Sequence, residues 1–233
     1  MKSLFLMLSL GLVIQSAHSA ELAPLLEKMA TAYGGREKLE KIVAIRETGQ
    51  VNAATTVGTS GPTVRTFGRP NRLKIEIGDP AKPTEIRLLN GTNGWRNGKP
   101  AAAGTSFDAM LLQAIRLDLP YQLWINQSKL TEKEPITAGD GKHLRVLELS
   151  VEKGLTVVAT LDESTGHIVG YAGTTGPGGM GRMTFETAYE DFRLVDGILF
   201  AFKETNVANG TKTAETTITK VELLSTVPDV FKP

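Results

Sequence analysis

The stretch that decides the fold is FETAYEDFRLVDGILFAFKE, Phe185–Glu204. Polar and apolar side chains alternate on both sides of Asp196-Gly197, and these two residue types tolerate the positive φ angles of a tight hairpin turn. The stretch therefore predicts two antiparallel strands joined at Asp196-Gly197.

The rings of this hairpin predict which face of the sheet points inward, because residues two apart in a strand share a face. The residues expected on the concave side are Phe185 and Tyr189 on the first strand and Ile198, Phe200 and Phe202 on the second. Phe192 falls out of phase with its row, which predicts a β-bulge near Asp191.

The same alternation recurs in other parts of the chain. RLKIEI, Arg72–Ile77, and TEIRLL, Thr84–Leu89, place apolar residues on one face and charged residues on the other. Turn signals such as NGTNG, Asn90–Gly94, separate such segments. The pattern predicts a mainly β protein of about ten or eleven antiparallel strands, each with one buried and one solvated face.

Apolar residues recur at the spacing of a helix in only a few parts of the chain. Leu22, Leu25, Leu26 and Met29 predict a first helix that stops at Gly34-Gly35, and REKLEKI predicts a short second helix. The segment TSFDAMLLQAIRLDLPYQLW, Thr105–Trp124, has a strong apolar stripe and is interrupted by a proline. We interpret it as a lid. Its candidate residues are Phe107, Met110 and Trp124, with Pro120 as the hinge.

A sheet of this size has more apolar area than about three helices can cover, which favours an incomplete barrel with helices over its opening. Such a barrel either encloses an apolar cavity with few polar groups or has a filled core, and the pattern leaves both open. The expected cavity lining is Ile75, Ile77, Trp95, Leu111, Ile115, Phe185, Tyr189, Phe200 and Phe202.

The first twenty residues have the pattern of a secretory signal peptide. Lys2 precedes the apolar run Leu4–Ile14, and small residues follow, so that cleavage after Ser19 or Ala20 fits. The run is too short to span about 30 Å of hydrocarbon as a helix, which makes an uncleaved anchor the weaker interpretation. The predicted organisation is a signal peptide, 1–20, and one half-barrel domain, 21–233, located in the periplasm.

The composition narrows the classes of function. The chain has no cysteine, which is unlike a disulfide-stabilised secreted scaffold. Without Lys2 the formal net charge falls from +1 to 0, so no basic excess favours nucleic acid. Nucleophile and metal-binding motifs are missing, and His143 and His167 are isolated. We therefore expect a protein that is not an enzyme, with no catalytic residue, no metal site and no cofactor.

Four stretches carry a resemblance to a known family. They are LLEKMATAYGGREKLEKIVAIRETGQV, LLNGTNGWR, YEDFRLVDGILFAFKE and the closing VPDVFKP. Together they resemble LolA-like outer-membrane lipoprotein-sorting proteins, although Ala201 stands where the family hairpin usually has proline. The resemblance implies an incomplete antiparallel β-barrel of about eleven strands, LolA- or LppX-like, with a helical lid over an apolar cavity.

The resemblance also implies a function and partners. A LolA-like protein is expected to be a monomeric periplasmic carrier of lipid or lipoprotein acyl chains, served by an inner- or outer-membrane loading or unloading protein. In the family an arginine near the lid holds it shut, and Arg46, Arg65 and Arg116 are candidates by position only. A non-enzymatic envelope sensor or interaction module on the same fold is the alternative, and an envelope hydrolase is disfavoured for lack of a nucleophile motif.

Overall fold

The computed structural model describes residues 22–56, 58–101, 104–151, 154–176 and 181–233, so the predicted signal peptide lies outside the described residues. Four α-helices are present in these ranges: α1 (22–32), α2 (Arg36–Lys41), α3 (Thr105–Leu117) and α4 (Leu119–Ile125). Helix α1 ends just before Gly34-Gly35, as expected. Within the described ranges, none of the helices has both the length and the apolar character needed to cross a membrane.

Thirteen strands form one antiparallel sheet. In chain order they are β1 (Ala44–Ala53), β2 (Gly61–Gly68), β3 (Arg72–Asp79), β4 (Lys82–Asn90), β5 (Asn93–Arg96), β6 (Lys99–Pro100), β7 (Leu130–Thr137), β8 (His143–Ser150), β9 (Thr156–Asp162), β10 (Ile168–Thr174), β11 (Thr184–Val195), β12 (Ile198–Ala208) and β13 (Thr211–Leu224).

The strand order explains why the barrel is incomplete. The order across the sheet is β6-β5-β4-β3-β2-β1-β13-β12-β11-β10-β9-β8-β7, so each strand pairs with its chain neighbour except where β1 meets β13 in the middle. Strands β6 and β7 are the two edges and do not pair with each other in the part of the chain that is described. The expected class, an incomplete antiparallel β-barrel with a helical element, is confirmed, with thirteen strands rather than about eleven.

Connectivity places α3 and α4 over the sheet. They follow β6 at one edge and precede β7 at the other, so this segment has to pass from edge to edge. Helix α3 contacts β3, β4 and β5 on one half and β10 on the other. We call residues 105–125, which comprise α3 and α4, the lid segment.

Two apolar clusters lie between the sheet and the helices. The first joins the helices to β8, β9 and β10, and its members include Leu26, Met29, Leu123, Leu147 and Val157. The second joins α3 to strands on the other half, and its members include Leu73, Leu89, Ala114, Phe202 and Ile218. Helix α3 contributes Leu112 and Ile115 to the first cluster and Met110 and Ala114 to the second, so it lies on the boundary between them.

The hairpin of β11 and β12 has a regular register, which corrects one prediction. Pairing runs from Phe185 opposite Ala208 to Val195 opposite Ile198 without a shift, so the bulge predicted near Asp191 is wrong. Asp191 instead adopts φ 55°, a left-handed conformation that aspartate tolerates better than most residues. The residue after this left-handed position is Phe192, and its ring packs against the first cluster.

The tip of this hairpin docks on the turn between α1 and α2. Gly34 has φ 93°, and a Cβ atom at this position would lie 2.4 Å from the carbonyl oxygen of Gly197. Lys38 Nζ also donates a hydrogen bond to the Asp196 carbonyl at 3.1 Å. Gly34 is therefore needed for close packing as well as for stopping the helix.

Replacement of Gly34 by alanine is expected to lower the free energy of unfolding by more than the roughly 1–3 kcal/mol of backbone strain alone, because the new methyl group collides with the hairpin backbone. Gly35→Ala is the matched control, since Gly35 has φ 89° but no atom within 4 Å of its Cβ position. Urea unfolding of both variants measures the difference. Equal losses would show that the docking of the hairpin tip adds nothing to stability.

Candidate functional site

A cluster of buried charges lies between the lid segment and the sheet. Arg65 on β2 donates two hydrogen bonds to Glu204 on β12, Nη1 to Oε2 at 2.7 Å and Nη2 to Oε1 at 3.0 Å. Arg116 on α3 places Nη1 3.2 Å from the same Glu204 Oε2. The carboxylate of Glu204 therefore joins the lid helix to two strands of the sheet.

The same arginine of the lid makes further polar contacts with the sheet. Arg116 Nη1 donates to Thr187 Oγ1 at 3.1 Å and lies 3.4 Å from Asn206 Oδ1. Thr187 also donates to Asn206 Oδ1 at 3.0 Å. The sequence left three arginines as candidates for holding the lid. Arg116 lies on the lid segment, and Arg65 on β2 contacts the same Glu204 from the sheet. Arg46 lies elsewhere, on β1.

A second carboxylate completes the cluster. Glu47 Oε2 on β1 lies 2.7 Å from Arg65 Nη2, but the angle is not that of a hydrogen bond, and Oε2 has no other partner among the described residues. Burial raises the pKa of Glu47, and the charge of Arg65 only partly opposes this effect. Burial alone would also raise the pKa of Glu204, but the charges of Arg116 and Arg65 outweigh it and lower that pKa to about 2.

A second ionic contact fixes the junction of α3 and α4. Arg69, in the turn after β2, donates from Nη2 to Asp118 Oδ1 at 2.6 Å and from Nε at 3.0 Å. Its guanidinium carbon lies 3.6 Å from the centre of the Tyr121 ring, and Nη1 donates to the Glu40 carbonyl at 3.2 Å. The lid segment is therefore attached to the sheet by arginine at its middle and at the α3–α4 junction.

Two cavities adjoin the buried charges. The smaller, about 80 Å³, is mainly apolar, and Glu47, Glu204 and Arg116 lie in its wall. The larger, about 470 Å³, is bounded by strands from both halves of the sheet and by α3, and Arg65 and Arg116 lie in its wall. Arg116 is thus common to both cavities.

The larger cavity is more polar than the sequence pattern suggested. Apolar residues such as Ile75 and Phe185 line part of it, but four arginines also line it, together with Gln113 and Asn206 of α3 and β12. The four arginines are Arg65, Arg87, Arg96 and Arg116. The expectation of a cavity with few polar groups thus describes only the smaller of the two spaces.

The structure places the predicted cavity residues in several environments. Ile75, Ile77 and Phe185 line the larger cavity. Tyr189 and Phe200 line the smaller one, together with Pro120 of the lid segment. Leu111, Ile115 and Phe202 belong to or pack against the two clusters.

The remaining predicted residues lie toward the surface or in the core. Trp95 and Phe107 line an outer groove of about 410 Å³ beside β5. Met110 is buried in the second cluster, and Trp124 packs against the first, with the Arg36 guanidinium 4.2 Å from the centre of its ring. Pro120 lies in the first turn of α4, directly after the Asp118 junction. The lid residues therefore do not form one continuous surface.

Sequence reasoning named Arg65 and Arg116 only by position and missed the two carboxylates of the charged cluster, although a signal for the cluster was present. Glu204 is in phase with Phe200 and Phe202, Arg65 is in phase with Phe67, and Glu47 is in phase with Ile45. A charged residue in the inward phase of an amphipathic strand indicates a buried partner, because an unpaired buried charge is very costly. Three such positions on different strands could have predicted the site.

Comparison with known proteins shows the fold. Comparison of the sequence with protein-family models and with curated proteins finds no match. The structure is similar to that of a LolA superfamily protein from Nitrosomonas europaea, with a TM-score of 0.56, 11% identity, and coverage of 91% of this chain and 97% of that chain. It is also similar to a DUF1329 family protein from Desulfovibrio piger, with a TM-score of 0.52, 10% identity, and coverage of 91% and 94%. The chain therefore has a LolA-like fold.

Replacement of Glu204 by glutamine is expected to destabilise the protein by about 3–5 kcal/mol at neutral pH, because two buried guanidiniums lose their shared counter-charge. The lowered pKa of Glu204 means that its ionised form stabilises the fold above about pH 4.5 and that this stabilisation is lost as the pH falls toward about 2. The difference between wild type and Glu204→Gln should therefore narrow over that range in urea unfolding.

The matched control is Glu190→Gln on the neighbouring strand, which removes only an exposed ion pair with Lys203. It should change stability little at any pH. A pH-independent difference between wild type and Glu204→Gln would contradict the assignment of an ionised Glu204 to the buried cluster.

Proposed function

We propose that this protein is a periplasmic carrier that binds a lipid, or the acyl chains of a lipoprotein, between the sheet and the lid segment for transfer across the envelope. The observation that carries the proposal is the attachment of one helical segment by ion pairs over two cavities in an open LolA-like sheet. The predicted signal peptide, 1–20, supports the location.

The size of the cavities indicates that binding needs movement of the lid segment. A cavity of about 150 Å³ holds a single benzene molecule, so the apolar space of about 80 Å³ is too small for an acyl chain. The larger cavity, about 470 Å³, falls within the usual range for ligand sites of about 300–1,000 Å³. Displacement of α3 would join the two spaces, because Arg116 lies in the wall of both.

The energetics of such an exchange are favourable. Each buried CH₂ group contributes about 0.8 kcal/mol, so an acyl chain can replace the apolar contacts that α3 gives up when it moves. The charged groups that α3 exposes are hydrated in the open form, which offsets part of the loss of their ion pairs. A carrier requires this balance, since the ligand has to be captured and then released to a loading or unloading partner.

Protein purified from a periplasm without detergent is expected to carry lipid, because capture from water is strongly favoured. Native mass spectrometry should show a bound species of lipid mass, and the delipidated protein should take up a fluorescent fatty acid. A protein that carries no lipid and takes up no fatty acid would overturn the proposal. A stoichiometric protein partner without lipid would favour an interaction module instead.

Replacement of Arg69 by methionine is expected to speed fatty acid uptake, because the α3–α4 junction loses its attachment to the sheet while Arg116 and the larger cavity remain intact. Burial raises the pKa of Asp118 against the opposing charge of Arg69, so removal of Arg69 is expected to raise that pKa further. Stopped-flow fluorescence of Trp124 in a Trp95→Phe background reports the movement, since these are the chain's two tryptophans.

Arg72→Met is the control for this experiment. Arg72 lies on the next strand beside the C-terminal Phe231, in a surface pocket away from the lid segment. Its replacement removes the same charge and should leave the uptake rate unchanged. Equal rates for Arg69→Met and wild type would contradict a role of the junction in closing the lid.

A further inference from the structure

The guanidiniums of the larger cavity form an inner and an outer pair. The inner pair is Arg65 and Arg116, whose side chains are 5% and 7% exposed. The outer pair is Arg87 and Arg96, and the side chain of Arg96 is 63% exposed. The cavity therefore has cationic groups both in its depth and at its mouth.

Each pair shares a single carboxylate. The inner pair shares Glu204, as described above, and the outer pair shares the buried Glu85. Arg87 Nε lies 2.8 Å and Arg96 Nη2 lies 2.9 Å from Glu85 Oε1, while Thr59 donates to Oε2 at 2.8 Å. Two guanidiniums per carboxylate leave an excess of positive charge at the outer pair.

Two other carboxylates lie near the cavity but do not cancel this excess. Glu47 contacts Arg65 from the side of the smaller cavity and is not among the residues that line the larger one. Glu186 is exposed at the rim of the larger cavity, where water screens its charge. The interior of the larger cavity is thus electrostatically suited to an anion.

Hydrogen-bonding groups in the wall also lack partners. Arg65 Nε and Gln113 Oε1 are buried and have no hydrogen-bond partner among the described residues. A buried polar group without a partner costs about 1–3 kcal/mol, and more when it is charged. A ligand that brings acceptor oxygens to Arg65, and a hydroxyl or amide to Gln113, would remove that cost.

We propose that the larger cavity binds the anionic head group of the carried amphiphile, a carboxylate or a phosphate, with Arg65 and Arg116 at its inner end and Arg87 and Arg96 at its mouth. The apolar chain lies along Ile75 and Phe185 and extends toward the smaller cavity when α3 moves. This inference rests on the proposed carrier function and specifies its ligand class.

The test compares two ligands that share a chain and differ in charge, dodecanoate and dodecanol. Binding to the delipidated full-length mature protein is measured by displacement of a fluorescent fatty acid and by calorimetry. Dodecanoate is expected to bind about tenfold or more tightly than dodecanol, as charge-assisted hydrogen bonds imply. Its affinity should fall with added salt, whereas that of dodecanol should not.

Arg96→Met removes one positive charge at the mouth of the cavity with little effect on the fold. Arg96 is mostly exposed, and Glu85 keeps Arg87 and Thr59 as partners. The variant should weaken dodecanoate several-fold and leave dodecanol unchanged. Arg72→Met, with the same loss of charge outside the cavity, should alter neither. A phosphatidylglycerol with short chains serves as the phosphate form, and preference for either anionic form over dodecanol supports the proposal.

The outcomes separate this inference from the carrier function. If dodecanoate and dodecanol bind equally, or if Arg96→Met weakens both equally, the head-group site is wrong while the carrier function stands. If neither ligand binds, the carrier function itself fails. If inorganic phosphate binds as tightly as the amphiphiles, the site takes a free anion and the assignment to a lipid head group is overturned.

Discussion

The contact of Arg116 with Glu204 is the interaction on which the arrangement depends. It connects a helix that has to cross the sheet, because of the chain's connectivity, to β12, which is the neighbour of the central strand β13. This contact lies between the two cavities, because Arg116 is in the wall of both.

Buried charges at this position have a cost that a purely structural core would avoid. Buried ion pairs are often no more stabilising than apolar residues of similar volume, and removal of one partner is strongly unfavourable. Two arginines and two glutamates nevertheless occupy inward positions of β1, β2, β12 and α3. When a helix is held by ion pairs, its charged groups can be hydrated by water once the helix leaves the sheet. Such contacts therefore suit a segment that moves better than they suit a permanent part of a core.

The sequence predicted the architecture better than the site. The period of two in Arg72–Ile77 and in the Phe185–Glu204 hairpin determines strands, and Gly34-Gly35 determines the end of α1, because these are local effects. The segment 105–124 was recognised as helical and was correctly expected to break near Pro120. Local patterns cannot show which strands become neighbours, and the meeting of β1 with β13 is what brings Glu47, Arg65 and Glu204 together. The irregularity expected before Phe192 is present, but it is a left-handed residue, Asp191, rather than an inserted one.

Amide hydrogen exchange of the protein with Arg116→Met tests the central claim most directly. If Arg116 holds the lid segment to the sheet, the amides of α3 and α4 should lose protection, while those of β12 and β13 keep the protection they have in the wild type. The opposite findings would contradict the claim: unchanged protection in the lid segment, or an equal loss in all elements, which would show that Arg116 stabilises the whole domain and no separate lid.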